Sequence, residues 1–173
     1  MMNVKAILEA MIFVAESPLP LKKIREVLQD SEENEILGLL GELEEEYRER
    51  KGGIQLRKIA GGYHFRTTEE TAPWVTMLKG VRPLTLSQAA LETLAVVAYR
   101  QPIIKSEIER IRGVDVSGTL KGLLEKNLVR IVGRKDVPGR PIIYGTGRKF
   151  LEVFGLKDLS ELPTLKEIEE LEE

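Results

Sequence analysis

The 173-residue chain has no cysteine and a single histidine, His64, and each shortage closes off some chemistry. Without Cys there is no disulfide scaffold, no thiol nucleophile and no Cys-ligated zinc. One His excludes a multi-His metal site and leaves a single candidate for a Ser–His–Asp arrangement. Long hydrophobic runs are also missing. The apolar stretch Ala10–Ala15 is bounded by Glu9 and Glu16, too short for a secretory core or a bilayer span. We therefore expect a cytosolic chain without membrane contact, and the lack of Cys fits a reducing compartment. What is present, 42% hydrophobic and 31% charged residues, suits a chain that buries a core, as one ordinary domain or two small ones.

The net charge of −2 conceals three blocks. Residues 1–80 hold 11 Lys/Arg against 14 Asp/Glu, residues 81–150 hold 13 against 6, and residues 151–173 hold 2 against 8. The net charges are thus −3, +7 and −6. This asymmetry argues for at least two modules and raises the question of nucleic-acid binding for the middle one.

A weak internal repeat supports the division. Leu8-Glu9, Met11 and Val14-Ala15 reappear 83 residues later as Leu91-Glu92, Leu94 and Val97-Ala98. After one inserted residue, Pro18-Leu19, Ile24, Val27, Ile36, Leu39 and Leu40 answer to Pro102-Ile103, Ile108, Ile111, Leu120, Leu123 and Leu124. We read two copies of one module. In each, a first helix (about 4–16 and 87–100) is apolar on more than one stripe, so burial on several sides is expected. Thr85 with Gln88, or Ser87 alone, can cap the second of these. A proline ends each helix, a short helix follows (Leu21–Leu28, Lys105–Arg112), and Gly113 closes the second short helix. A third helix then carries apolar residues three and four apart, with Asp30 and Asp115 as candidate N-caps.

The period next changes to two. Ile54, Leu56 and Ile59, then Tyr63, Phe65 and Thr67, alternate around Gly61-Gly62; Val129, Ile131 and Ile142–Tyr144 flank a Gly133–Pro141 loop. Three helices and a hairpin make a winged helix, so the expected class is mainly α with small β wings (α+β), two tandem winged-helix domains. The expected boundaries are a first domain at 1–68, a linker at 69–84 with a short helix around Trp74–Leu78, a second domain at 85–156 and an acidic tail at 157–173. Thr164 and Glu167 form a capping box for a last helix.

Winged helices raise the question of DNA, and charge bears on it. Residues 32–50 of the first module carry eight glutamates against Arg48 and Arg50, so its third helix would be repelled from a major groove. The third helix of the second module offers only Lys121 and Lys126, poor equipment for base reading. Its wing, Gly133–Pro141, is basic and is either a phosphate contact or a solvated face.

Helix 1 of the first module has nine apolar residues among the ten from Ala6 to Ala15. A small module has difficulty covering such a helix, so self-association stands beside burial in its own core. Trp74 is expected to pack the linker onto a domain, and Tyr99 to cap the core. His64, between Tyr63 and Phe65, reads as a surface residue beside Arg66. No phosphate-binding loop is present, and Gly145-Thr146-Gly147 lacks the third glycine of a dinucleotide loop. We read a non-enzyme with no cofactor and no metal.

The run Ala90–Ile103 (ALETLAVVAYRQPI), then Ile111–Asp115, Val132–Pro141 (VGRKDVPGRP), Tyr144-Gly145-Thr146, Phe150-Leu151 and Phe154-Gly155-Leu156, resembles the segregation and condensation protein B (ScpB) family. These are accessory subunits of the bacterial SMC–kleisin complex. The resemblance spans about residues 3–163 and is most specific over 90–156. It implies a homodimer formed by the N-terminal domains, binding to the kleisin subunit (ScpA) and through it to SMC, and a cytoplasmic, nucleoid-associated place in chromosome condensation, segregation and cell division. ATP hydrolysis would belong to the SMC partner, and DNA contact by this chain would be weak or indirect. The candidate partner contacts are Tyr99, Arg100, Gln101, Pro102, Arg134, Lys135, Val137, Pro138, Arg140 and Tyr144, since loops carry recognition. The candidate dimer contacts are Ile7, Leu8, Met11 and Ile12. The alternatives are that Gly139 and Pro141 only shape the wing while Tyr99 packs inside, and that the basic second domain serves a DNA-binding regulator.

Overall fold

The computed structural model describes residues 3–80, 85–164 and Glu167. It divides into two compact units, Met1–Pro83 with Leu156–Asp158, and Leu84–Gly155 with Leu159–Glu173.

In the first unit, α1 (Val4–Val14) starts at Asn3, whose side-chain oxygen accepts from the Lys5 amide at 3.0 Å. This satisfies one of the donors a helix start leaves open. Past buried Pro18 come β1 (Leu19–Pro20), α2 (Leu21–Val27) and α3 (Glu33–Glu49), then the hairpin β2 (Ile54–Ile59) and β3 (Gly62–Thr67). The sheet is antiparallel in the order β1-β3-β2, with Leu19 opposite Tyr63 and Leu56 opposite Phe65. Leu8, Ile12, Ile24, Ile36, Leu40, Leu43, Leu56 and Tyr63 close over one another as its core. Tyr47 meets Phe65 in a tilted ring contact with centroids 4.7 Å apart, tying α3 to the sheet. Gly62 is required by space: a Cβ there would lie 2.7 Å from the Pro18 carbonyl carbon. A 3-10 turn (Glu69–Thr71) leads into α4 (Ala72–Lys79), which has Pro73 in its first turn and ends at Gly80 with φ +58°.

The second unit repeats the order. Its elements are α5 (Gln88–Arg100), β4 (Ile103–Ile104), α6 (Lys105–Arg112), α7 (Ser117–Glu125), β5 (Val129–Arg134) and β6 (Ile142–Thr146), with sheet order β4-β6-β5. Ser87 caps α5 by accepting from the Ala90 amide, and Gly113 closes α6 at φ +71°. Ile103 faces Tyr144 as Leu19 faces Tyr63. The expected three helices and hairpin therefore form in each unit, an α+β architecture. An added helix, α8 (Arg148–Phe154), lays Phe150 into the second core and stops at Gly155, φ +68°. Its boundary glycines, Gly147 and Gly155, were the overlooked signal.

Several expectations need correction. Asp30 caps nothing: α3 begins at Glu32 without a side-chain cap. Asp115 does bond the start of α7, accepting from the Ser117 amide at 2.6 Å. Helix 1 is not buried on several sides within the chain, since only Leu8 and Ile12 are buried while Phe13 and Val14 are each 74% exposed. The repeat register across that helix is also one turn off. An offset of 83 pairs buried Leu8 with exposed Leu91, and exposed Val14 with buried Val97. Aligning the helix ends, Val14 with Arg100, matches Leu8 to Leu94 and Ile12 to Ala98, all buried. Three residues are close to a 3.6-residue turn, so apolar identity alone cannot separate these registers. Trp74 does not pack onto a domain; it is 69% exposed on α4. Neither does Tyr99 cap the core, being exposed at the end of α5. The end of the linker, residues 81–84, and all of the last helix except Glu167 lie outside the described residues. The Thr164–Glu167 capping box itself is formed, with both reciprocal hydrogen bonds.

Candidate partner-binding surfaces

The first surface is the outer side of α1. Leu8 and Ile12 point into the core at 0% and 1% exposure, so they are corrected from dimer contacts to core residues. Ile7 and Met11 sit half-buried at the edge, where Asn3, Ala6, Ala10 and Val14 complete an open, mostly apolar groove of about 430 Å³. Phe13 projects beside it. Sequence reasoning passed over Phe13 and Val14 because a two-striped helix does not reveal which stripe faces inward.

On the side of α1 that meets α3 the charges are engaged. Lys5 on α1 bridges Glu42 and Glu46 of α3 at 3.0 and 2.5 Å, and those hydrogen bonds, Glu46 first, hold its pKa above the ordinary lysine value. Tyr47 donates to Glu9 at 2.5 Å, which raises the phenol's pKa, with burial adding to the shift. Arg25 pairs with Glu33 at 2.5 Å. The helix that would enter a DNA groove is thus a carboxylate-rich surface laced to α1.

A second apolar face lies on α4, where Trp74, Met77 and Leu78 are 69%, 80% and 87% exposed at helical spacing.

In the second unit the turn Tyr99–Pro102 separates into two roles. Gln101 is turned inward. Its amide nitrogen donates to the Ala98 carbonyl and the Thr146 hydroxyl, and its oxygen accepts from the Thr146 amide at 2.8 Å. A Cβ on Gly145 would meet that oxygen at 2.8 Å, so glycine keeps the tie close. Gln101, half-buried, fastens the turn to β6, and Tyr144, 8% exposed, is corrected from a partner contact to a core residue. Tyr99, Arg100 and Pro102 remain on the surface, and the Tyr99 hydroxyl donates to the Pro163 carbonyl at 2.8 Å.

The long hairpin loop is closed by Lys135 N–H to Pro141 O at 2.9 Å, with a tight turn from Val137 to Arg140 around Gly139, φ +82°. That backbone requires glycine and explains the Pro-Gly pair. Arg134, Lys135, Val137, Pro138 and Arg140 are exposed on it. Two of its cations are already occupied: Lys135 pairs with Glu107 at 3.6 Å, and Arg134 donates to the Arg140 carbonyl at 3.1 Å. On α7, Lys121 lies 4.0 Å from Glu125. His64 is half-buried on β3 beside Arg66, and among the described residues no cluster of His, Cys, Asp or Glu could hold a metal. No helix among them is long and apolar enough to cross a membrane.

The family model for the segregation and condensation complex subunit ScpB matches residues 6–165. The segregation and condensation protein B of Syntrophotalea carbinolica is 51% identical over 169 residues, covering 98% of this chain and 85% of that one. That of Moorella thermoacetica is 46% identical over 166 residues, covering 96% and 85%. A solved dimer of the ScpB N-terminal domain complexed with ScpA peptide is 36% identical, with a TM-score of 0.40, and covers 43% of this chain and 91% of that chain.

Proposed function

Because the chain belongs to the ScpB family of segregation and condensation complex subunits, we propose that it works as a non-catalytic homodimer that holds the kleisin subunit. Through that subunit it joins SMC and supports chromosome condensation and partition during cell division, at the nucleoid. The single observation carrying the dimer is the bare side of α1: a helix that buries Leu8 and Ile12 inward still leaves Phe13 and Val14 at 74% exposure. Apolar groups held this far in water favour a partner surface. Ile7, Met11, Phe13 and Val14 are the proposed contacts. An isologous pairing of the same patch closes after two copies.

For the kleisin we assign Tyr99, Arg100 and Pro102 and the hairpin tip Arg134–Arg140. Exposed side chains on rigidly held turns offer a pre-formed surface for an extended or helical segment. Lys135 and Arg134 have internal partners and α3 is carboxylate-rich, so DNA contact by this chain is weak or indirect. The test is the solution mass by light scattering after size exclusion, alone and with the kleisin subunit. A dimer of the 19.5 kDa chain that takes up kleisin supports the reading. A chain that ignores kleisin but binds duplex DNA with a steep salt dependence overturns it.

A further inference from the structure

The segment that follows α8 returns to the end of α5. Leu159–Glu161 form a 3-10 turn, the Leu162 amide donates to the Leu159 carbonyl at 3.2 Å, and Leu162 is half-buried. The Pro163 carbonyl then takes the Tyr99 hydroxyl at 2.8 Å. Immediately beyond, the Thr164 amide donates to Glu167 at 2.6 Å and the Glu167 amide to the Thr164 hydroxyl at 3.3 Å, fixing the chain just after the contact. A phenol at the edge of a protein ordinarily keeps its hydroxyl in water. Here the group that stands out from the Tyr99–Pro102 turn is bonded by the chain's own C-terminal portion.

We propose that Leu159–Thr164 is a resident occupant of the Tyr99 end of α5, and that a polypeptide partner must displace it to bind there. The proposal rests on the reading that the Tyr99–Pro102 turn belongs to the partner surface. A segment that covers a site lowers the apparent affinity by the fraction of molecules in which the site is open. The Tyr99–Pro163 hydrogen bond is a neutral one, so losing it costs little by itself. Opening it should change affinity about two- to fivefold, the scale of a single net hydrogen bond.

The test uses the full chain carrying Leu162→Asp, which weakens the packing of the segment and leaves α5 untouched. It is read by hydrogen exchange over 159–164 and by calorimetric titration with the purified kleisin subunit. Faster exchange with a two- to fivefold tighter Kd is the expected result. Faster exchange with an unchanged or weaker Kd overturns the proposal while leaving the partner reading intact. Failure of the unsubstituted chain to bind kleisin overturns the partner reading itself. Tyr99→Phe supplies the second variant: it keeps the ring and deletes the donor to Pro163, so exchange over 159–164 must rise if that bond holds the segment, and unchanged exchange overturns the proposal.

Discussion

The two units share a skeleton and diverge on every surface. Leu8 and Leu94, Ile24 and Ile108, and Tyr63 and Tyr144 occupy equivalent buried places. Outside those cores little matches. α3 runs 17 residues and is rich in carboxylates, whereas α7 runs 9 with one lysine and one glutamate. The first hairpin turns over Ala60 and Gly61; the second has a bulge at Ile131–Gly133 and a loop over 135–141. Duplicated modules keep what excludes water and vary what meets it. Here the first unit presents a bare apolar helix and the second presents shaped turns, and the proposed function divides association and recognition between the copies.

The largest expected effect probes the shared part. Ile24→Ala and Ile108→Ala each remove a fully buried side chain at the same place in the two units, and each should cost about 2–5 kcal/mol. Urea unfolding followed by hydrogen exchange should show each substitution lowering protection in its own unit. Loss of protection spread equally over both would break the view of two independently built cores.

Next come two of the three glycines that a Cβ would crowd, Gly62 and Gly145; the third, Gly147, lies against the Asn127 carbonyl. A Cβ on Gly62 meets the backbone of Pro18 and Leu19 at 2.7–2.8 Å, whereas one on Gly145 meets the side chains of Gln101 and Val132 at 2.8–2.9 Å. Backbone cannot step aside and side chains can. Gly62→Ala should therefore destabilise by roughly 1–3 kcal/mol, with Gly145→Ala the milder of the two. Thermal unfolding of the two variants ranks them, and the reverse order would contradict the packing argument.

Much of this was legible in the sequence. The alternation around Gly61-Gly62, the three-and-four spacing of Ile36, Leu40 and Leu43, and the Ser87 and Gly113 caps are local signals, and local physics decides them. Helix 1 was harder, since apolar residues nearly all round allow either stripe to face the core and the choice is made by Ile24 and Leu40 across the unit. Tyr99 and Gln101 lie two residues apart yet serve opposite ends, one outward toward Pro163 and one inward toward Thr146. Which way each turns depends on β6 and the C-terminal segment, contacts more than 40 residues away that no local pattern contains.

The exposed helix faces sharpen the comparison at smaller cost to folding. Phe13→Asp on α1, at 74% exposure, should change stability by no more than about 0.5 kcal/mol, while Leu91→Asp on α5, at 40% exposure, should cost about 1 kcal/mol. Their effect on mass should differ: Phe13→Asp converts the proposed dimer to monomer in light scattering, and Leu91→Asp leaves it unchanged. If Leu91→Asp is the one that dissociates it, self-association belongs to the second unit.

The smallest effect is set by pH, and it runs in opposite directions in the two units. Lys5 ties α1 to α3 through Glu46 and Glu42, and its pKa is raised. A group whose pKa is raised by folding contributes below its unfolded value, and that contribution is lost as pH rises through the folded one. Asp115 accepts from the Ser117 side chain and amide at the start of α7, and these bonds lower its pKa. Its contribution is present above the unfolded value and lost as pH falls through the folded one. The Lys5 link therefore weakens at the alkaline end, and the α7 start weakens in acid, below the ordinary aspartate range. Both groups lie at the surface, so the slopes are shallow. Lys5→Met should flatten the alkaline limb of stability for the first unit, and Asp115→Asn the acid limb for the second. In an NMR titration the Ser117 amide should report a midpoint below that of a free aspartate. A midpoint at the free value would mean that the capping bond does not hold α7 in solution.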